Sequence, residues 1–290
     1  MPGQSEWSIA DPHKLTFEEP VTALKVRIAG GTVNVVGTDG GPARLELSDI
    51  EGPPLDVTLE RGTLTVAYRD LPWKNFLTWL DPRTWKHSVT VTLTVPTATR
   101  VEVGVVGATA VVSGISGATD VRGVSGDTTL VGVSGAVRAE TVTGGLQGQS
   151  LGGDLRFNSV SGDLTLLDSA GGTVRAESVS GDMLVDVSGS VADPTLSLTS
   201  VSGEVAVRLP HPADAEVGAE VDANTTSGRV SCAFEDLRIS GQWGAKRITG
   251  TLGAGRGRLK VTTVSGAVAL LRRPPSQDEP ADAPAQGKVL

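Results

Sequence analysis

Residues 115–168 decide the fold: they read ISGATDVRG, VSGDTTLVG, VSGAVRAET, VTGGLQGQS, LGGDLRFNS and VSGDLTLLD. These are six consecutive nine-residue segments, and each begins with an aliphatic residue followed by a small residue and glycine. The fifth and seventh positions of each segment are mostly apolar and alternate with polar neighbours, which is typical of a half-buried strand. Because one segment cannot bury its apolar face alone, we expect the segments to stack.

The period continues beyond these six segments. It extends back to Val106, and after a one-residue slip further copies begin at Ala170, Val179, Val201 and Val264. A uniform motif repeated in one phase favours parallel coils over antiparallel hairpins. The sequence therefore predicts an all-β fold, a parallel β-solenoid (β-helix) built from nine-residue strand-corner repeats. The tetrapeptide VRAE recurs four copies and one slip later, which favours coils of two segments over coils of three.

The corners of these repeats explain much of the glycine content, which is 37 of 290 residues. Glycine takes positive φ at little steric cost, so we expect the corner glycines to have positive φ. On this reasoning, Gly162→Val should destabilise the fold by roughly 1–2 kcal/mol or more.

The chain divides into three parts. Residues 1–20 form an N-terminal segment, and residues 21–272 form a single elongated solenoid domain that contains the VSG repeats of residues 106–209. Residues 273–290 are rich in proline, alanine and acidic residues, which predicts a disordered tail.

An aromatic insertion at residues 70–87 interrupts the strand pattern. Trp73, Phe76, Trp79 and Trp85 lie in it, and the spacing of its apolar residues predicts a short helix near 72–82. The insertion could cap the open end of the solenoid. Alternatively, its tryptophans and cations could contact a lipid headgroup layer or a partner's groove.

The charge is unevenly distributed. The net charge of −8 argues against specific nucleic-acid binding, yet the segment from Arg238 to Arg273 has eight basic residues and no acidic one. Two interpretations stay open: a solvated surface, or a contact for a protein partner or an anionic membrane surface through Arg256, Arg258 and Lys260.

The sequence offers no constellation for chemistry, so we expect no catalytic, cofactor-binding or metal site. The calcium-binding repeat G-G-x-G-x-D is absent. The histidines His13, His87 and His211 are scattered, and Cys232 has no second cysteine to pair with. A carbohydrate-active β-helix enzyme would need a pair of acids in a groove, for which Asp163 and Asp182 are the candidates. Their recurrence with the repeat favours hydrogen bonding at the corners instead.

The VSGD and VSGA copies, AGGTVNVVG near the N-terminus and KVTTVSGAVALL near the C-terminus resemble a bacterial β-strand-repeat family of unknown function whose members carry the label "putative adhesin". The resemblance implies a repeat fold and no defined catalytic residues. The N-terminal segment lacks a basic and an apolar signal region, so we expect a cytoplasmic location. The leading hypothesis is a non-catalytic scaffold for protein partners in envelope or regulatory signalling. The alternative is an adhesin-like, membrane- or surface-associated protein.

Overall fold

The computed structural model describes residues 5–68, 87–210, 217–242 and 244–273. Within these residues every regular element is a strand, which confirms the prediction of an all-β fold. The strands are β1 Ser5–Ile9, β2 His13–Phe17, β3 Ala23–Ile28, β4 Gly30–Thr38, β5 Ala43–Glu51, β6 Leu55–Glu60, β7 Thr63–Tyr68, β8 Ser88–Pro96, β9 Arg100–Val105, β10 Thr109–Ser113, β11 Thr119–Gly123, β12 Thr128–Val131, β13 Val137–Glu140, β14 Leu146–Gln149, β15 Leu155–Asn158, β16 Leu164–Ser169, β17 Thr173–Ser178, β18 Met183–Val187, β19 Thr195–Ser200, β20 Val205–Leu209, β21 Ala219–Thr225, β22 Val230–Cys232, β23 Arg238–Gln242, β24 Ala245–Leu252, β25 Gly257–Thr263 and β26 Val268–Arg272.

The strands form two long mixed sheets. The first sheet has the order β1-β6-β7-β3-β9-β11-β13-β15-β17-β19-β25-β21-β24-β23, and the second has the order β2-β5-β8-β4-β10-β12-β14-β16-β18-β20-β26-β22. From β9 to β20 successive strands alternate between the sheets and pair in parallel, whereas antiparallel pairs occur only towards the two ends. We call one strand of each sheet, with the corner between them, a coil.

The register repeats every two segments through the regular coils. In the first sheet Thr119 pairs with Val137 and Val137 pairs with Leu155, and each step is two nine-residue segments along the chain. Between β16 and β18 the step is one residue longer, and the register shifts there between Leu166 and Ser169. A bulge in β16 therefore absorbs the one-residue slip of the sequence.

The coils do not stack in chain order near either end. The coil of β3 and β4 lies between the coil of β7 and β8 and that of β9 and β10, whereas β1 and β2 are edge strands of the two sheets. At the other end, the coil of β25 and β26 lies between the coil of β19 and β20 and that of β21 and β22. The last repeat copy is consequently an internal layer of both sheets.

The core fills the space between the sheets with the apolar residues at alternate strand positions. Leu164 and Leu166, the fifth and seventh residues of their segment, are fully buried. Phe157 is also fully buried, and the residues that pair with it on the neighbouring strands are Ala139 and Ala176. One large ring between two small side chains keeps the interior close-packed.

The prediction that the corner glycines have positive φ is wrong for the VSG corners: Gly162 is not among the glycines with positive φ. Its hydrogen atom instead faces the corner of the neighbouring coil, where a Cβ atom would lie closer than 3.0 Å to the carbonyl oxygen of Gly144. The same close approach relates each corner to the preceding one along the column Gly126, Gly144, Gly162, Gly181, Gly203 and Gly266. Glycine is required there because the coils stack in contact.

The predicted helix near 72–82 lies outside the described residues, and so does the predicted tail from residue 274 onward. The division of the chain at residues 20 and 272 stays a prediction.

Candidate functional surface

The outer face of the first sheet is lined with charged side chains that pair with one another. Arg175 contacts Glu177 two residues along its strand at 2.7 Å, and Arg138 contacts Glu140 in the same way. Arg156 lies in register between Arg138 and Arg175. These exposed pairs place positive and negative groups side by side, so the face has no strong field of one sign.

Asp120 is an acid on this face whose pKa is shifted. Burial raises the pKa of Asp120 above its ordinary value of 3.8; Arg122 opposes the effect, and Glu102 on the adjacent strand adds to it. Its Oδ2 accepts a hydrogen bond from Arg122 at 3.2 Å. Its Oδ1 is buried without a hydrogen-bond partner among the described residues. The ionised form of Asp120 therefore lowers the free energy of unfolding.

The outer face of the second sheet is uncharged over six adjacent strands, β8, β4, β10, β12, β14 and β16 as far as Leu167. Asp168, the next residue of β16, is exposed and belongs to the cluster of ion pairs at the border of this face. We call this outer face the uncharged face. Its side chains point away from the core, and the outward residues are Thr90, Thr92, Thr94, Thr32, Asn34, Val36, Val111, Ser113, Thr129, Val131, Gln147, Gln149, Thr165 and Leu167. Val36, Val131 and Leu167 lie in one row across it and are 43%, 37% and 41% exposed.

A cluster of ion pairs bounds the uncharged face. Asp186 on β18 is buried and contacts Arg273 at 2.8 Å and Arg208 at 3.7 Å. Arg273 also contacts Asp168, in the bulge of β16, at 3.7 Å. The hydrogen bond from Arg273 to Asp186 raises the pKa of the guanidinium further above its ordinary value. Arg273, the residue after β26, thus forms ion pairs with β18 and β16, which lie several coils earlier in the chain.

The acids proposed as an enzyme's carboxylate pair take part in the stacking of the corners. Asp163 Oδ1 accepts a hydrogen bond from the backbone N–H of Asp182 at 2.8 Å, and Asp182 Oδ1 accepts one from the N–H of Glu204 at 2.7 Å. Asp127 Oδ1 accepts a hydrogen bond from the backbone N–H of Gly145 in the same way. Each carboxylate thus caps the next corner, as the recurrence with the repeat indicated.

The predicted contact residues fall in two groups. Trp73, Phe76, Trp79 and Trp85 lie outside the described residues. The three basic residues lie beside acids, which the following contacts show.

Arg256 contacts Asp193 at 3.1 Å, and Arg258 contacts Glu220 at 3.5 Å. Lys260 is in register with Asp222 on the adjacent strand. The acids come from β21 and from the loop before β19, which precede the basic segment in sequence. The basic residues therefore do not form a patch of one sign at these positions.

In the parts of the chain that the structure describes, no three or more His, Cys, Asp or Glu side chains are grouped to hold a metal ion. Of the histidines, His13 lies in β2, whereas the ring of His87 packs against Tyr68 with 5.3 Å between ring centroids. Burial raises the pKa of Tyr68 to about 12. Among these same residues, no helix has the length and apolar character needed to cross a membrane.

Comparison with known proteins supports the resemblance drawn from the repeats. Residues 155–271 match the model of the family Toastrack DUF4097, which confirms the resemblance to a β-strand-repeat family of unknown function. No curated protein matches the chain.

Three solved structures are similar over most of their length. A "putative cell adhesion protein" from Clostridium sporogenes is 12% identical and covers 91% of this chain and 100% of its own, with a TM-score of 0.28. A "putative lipid binding protein" from Parabacteroides distasonis is 9% identical and covers 92% and 98%, with a TM-score of 0.32. A "putative adhesin" from Parabacteroides merdae is 11% identical and covers 92% and 96%, with a TM-score of 0.34.

Proposed function

We propose that this chain, whose residues 155–271 match the Toastrack family, is a non-catalytic β-solenoid scaffold. It presents a binding surface to protein partners in the cytoplasm, in envelope or regulatory signalling. The observation that carries the proposal is the uncharged face of the second sheet, with its row of exposed Val36, Val131 and Leu167.

The uncharged face suits a protein partner for two physical reasons. Binding there removes no ionised side chain from water, so it avoids the large desolvation cost of burying charges. The side chains also stand on paired strands of a two-sheet stack, so little conformational freedom is lost when a partner docks. At a spacing of about 4.8 Å between adjacent strands, the first and last of the six strands lie about 24 Å apart.

The first sheet supplies a natural control, because its outer face belongs to the same coils but is lined with ion pairs. Gln147 lies on the uncharged face in β14, and Arg156 lies on the charged face in β15, the next strand of the chain. Both side chains are exposed.

The test is photo-crosslinking in cells of the organism that produces the protein. A photoreactive amino acid is introduced at Gln147 in one variant and at Arg156 in the other, and covalent adducts are compared after irradiation. The proposal predicts discrete protein adducts from position 147 that are absent from position 156. Equal adducts from both positions, or none from 147 in several growth states, would overturn it.

A further inference from the structure

An apolar row runs along one edge of the stack, at the corners that lead from the first sheet to the second. Val160, Val179, Val201 and Val264 begin these corners and are 49%, 50%, 46% and 48% exposed. They stack because the serine after each valine donates its backbone N–H to the carbonyl of the preceding valine in the row; Ser180 to Val160 and Ser202 to Val179 are both 2.9 Å. We call these four residues the valine row.

The geometry of this corner does not require the valine side chain to be exposed. Val106 and Val124 occupy the same place in earlier coils and are only 3% and 8% exposed. At the opposite corners of the stack, Val133 and Leu151 are buried in the core. Four adjacent, half-exposed valines therefore form an uncovered apolar strip, about 15 Å from first to last at the usual spacing between strands.

An acidic row accompanies the valine row. The third residue after each of three successive valines is Asp163, Asp182 or Glu204, and all three are exposed. Among the described residues no Lys or Arg forms an ion pair with these three acids. Carboxylates stacked about 4.8 Å apart repel one another. Cations that bind beside this edge reduce that repulsion, so their binding is favourable.

We propose that this edge is a second docking surface, and that its occupant is a polypeptide segment that combines apolar residues with lysine or arginine. The apolar side chains pack on the valine row, and the cations neutralise the acidic row. Complementary charge and apolar area together select this partner. An anionic membrane would meet the acidic row and is disfavoured. The proposal goes beyond the scaffold function, because it concerns a different surface and states the partner's chemistry.

The test measures the binding of a fluorescent peptide of alternating lysine and valine by anisotropy, with a glutamate–valine peptide as the charge control. Val179→Ser with Val201→Ser removes the middle of the valine row. Ile239→Ser is the matched control, because Ile239 is also an exposed aliphatic residue (54%) but lies on β23, the edge strand of the first sheet, outside both docking surfaces. Glu204→Gln removes one acid. Melting temperatures are measured for every variant, so that a loss of binding is not confused with a loss of fold.

The lysine–valine peptide should bind, and the glutamate–valine peptide should not. The valine-row variant should bind at least about tenfold more weakly, while the matched control binds like the wild type. Glu204→Gln should weaken binding at low salt and have less effect at high salt.

Equal binding by all folded variants, no binding of the lysine–valine peptide, or binding of anionic phosphatidylserine vesicles through the valine row would overturn the proposal. None of these results depends on the adducts from position 147, so either proposal can fail alone.

Discussion

Replacing Gly162 with alanine should destabilise the fold by about 2–4 kcal/mol, although it adds one methyl group. The new Cβ would lie closer than 3.0 Å to the carbonyl oxygen of Gly144 and 2.8 Å from the Oγ of Ser159. That Oγ accepts a hydrogen bond from the Gly162 N–H at 2.7 Å. The corner therefore cannot move away from Gly144 without stretching this hydrogen bond. Overpacking costs about 1–3 kcal/mol, and a weakened hydrogen bond adds about 0.5–1.5 kcal/mol.

Gly172→Ala is the matched control, because a Cβ at Gly172 meets nothing within 4 Å and its φ is not positive. Its free energy of unfolding should stay within about 0.5 kcal/mol of the wild type, or rise slightly. Both variants are measured by guanidinium unfolding followed by circular dichroism. If Gly162→Ala were as stable as Gly172→Ala, the argument that the coils stack in contact at this corner would be refuted.

Three further predictions concern the core and the charged groups. Phe157→Ala should cost about 3–5 kcal/mol of unfolding free energy in the same assay, since the alanines beside it cannot fill the cavity; a loss under about 1 kcal/mol would contradict the packing. Asp186→Ala should destabilise by about 1–3 kcal/mol, because two arginines lose a buried partner, and by more than Asp168→Ala at the exposed end of the cluster; the reverse order would contradict it. Asp120→Asn should raise the melting temperature at pH 7. The folded-state pKa of Asp120 is raised, so the stability from its protonated form is present below 3.8 and lost as the pH rises through the folded-state pKa. A pH series of melting temperatures should therefore show the variant's advantage vanish in acid, and an advantage independent of pH would refute the cause.

The repeat predicted the strands of the regular coils well, because the alternation of apolar residues is a local signal. The fifth and seventh residues of the segment beginning at Val160, Leu164 and Leu166, are both in the core as that signal requires. The first residue of each segment was ambiguous: Val133 is buried and Val160 is half exposed. Two aliphatic residues in the same motif position give no local indication of which corner they occupy.

The two different faces could have been found from the sequence. Between residues 115 and 167, charged strand residues occur only in every second segment: Arg138 and Glu140 in one, Gln147 and Gln149 without charge in the next. This alternation has a period of two segments and assigns successive segments to different sheets. The apolar positions do not reveal this alternation, because segments of both sheets bury their fifth and seventh residues.

The ends of the stack could not be predicted in this way. The coil of β25 and β26 lies beside that of β19 and β20, although β21 to β24 come between them in sequence. The acids that pair with Arg256 and Arg258 are brought there by this arrangement. In sequence order the basic segment indicated a positively charged region. The fold places Asp193 beside Arg256 and Glu220 beside Arg258, and these acids neutralise it at both positions.

The assignment of side chains to rows and faces depends on the two-segment register, and cysteine pairing tests it most directly. In a Cys232→Ser background, Thr129→Cys with Gln147→Cys places thiols on in-register neighbours of β12 and β14. Adjacent strands hold Cα atoms about 5 Å apart, within the range of a disulfide. The account predicts that this pair oxidises readily in the folded protein, and that Thr129→Cys with Arg156→Cys, on opposite faces, does not. Failure of the first pair to form a disulfide, or equal oxidation of the second, would contradict the register.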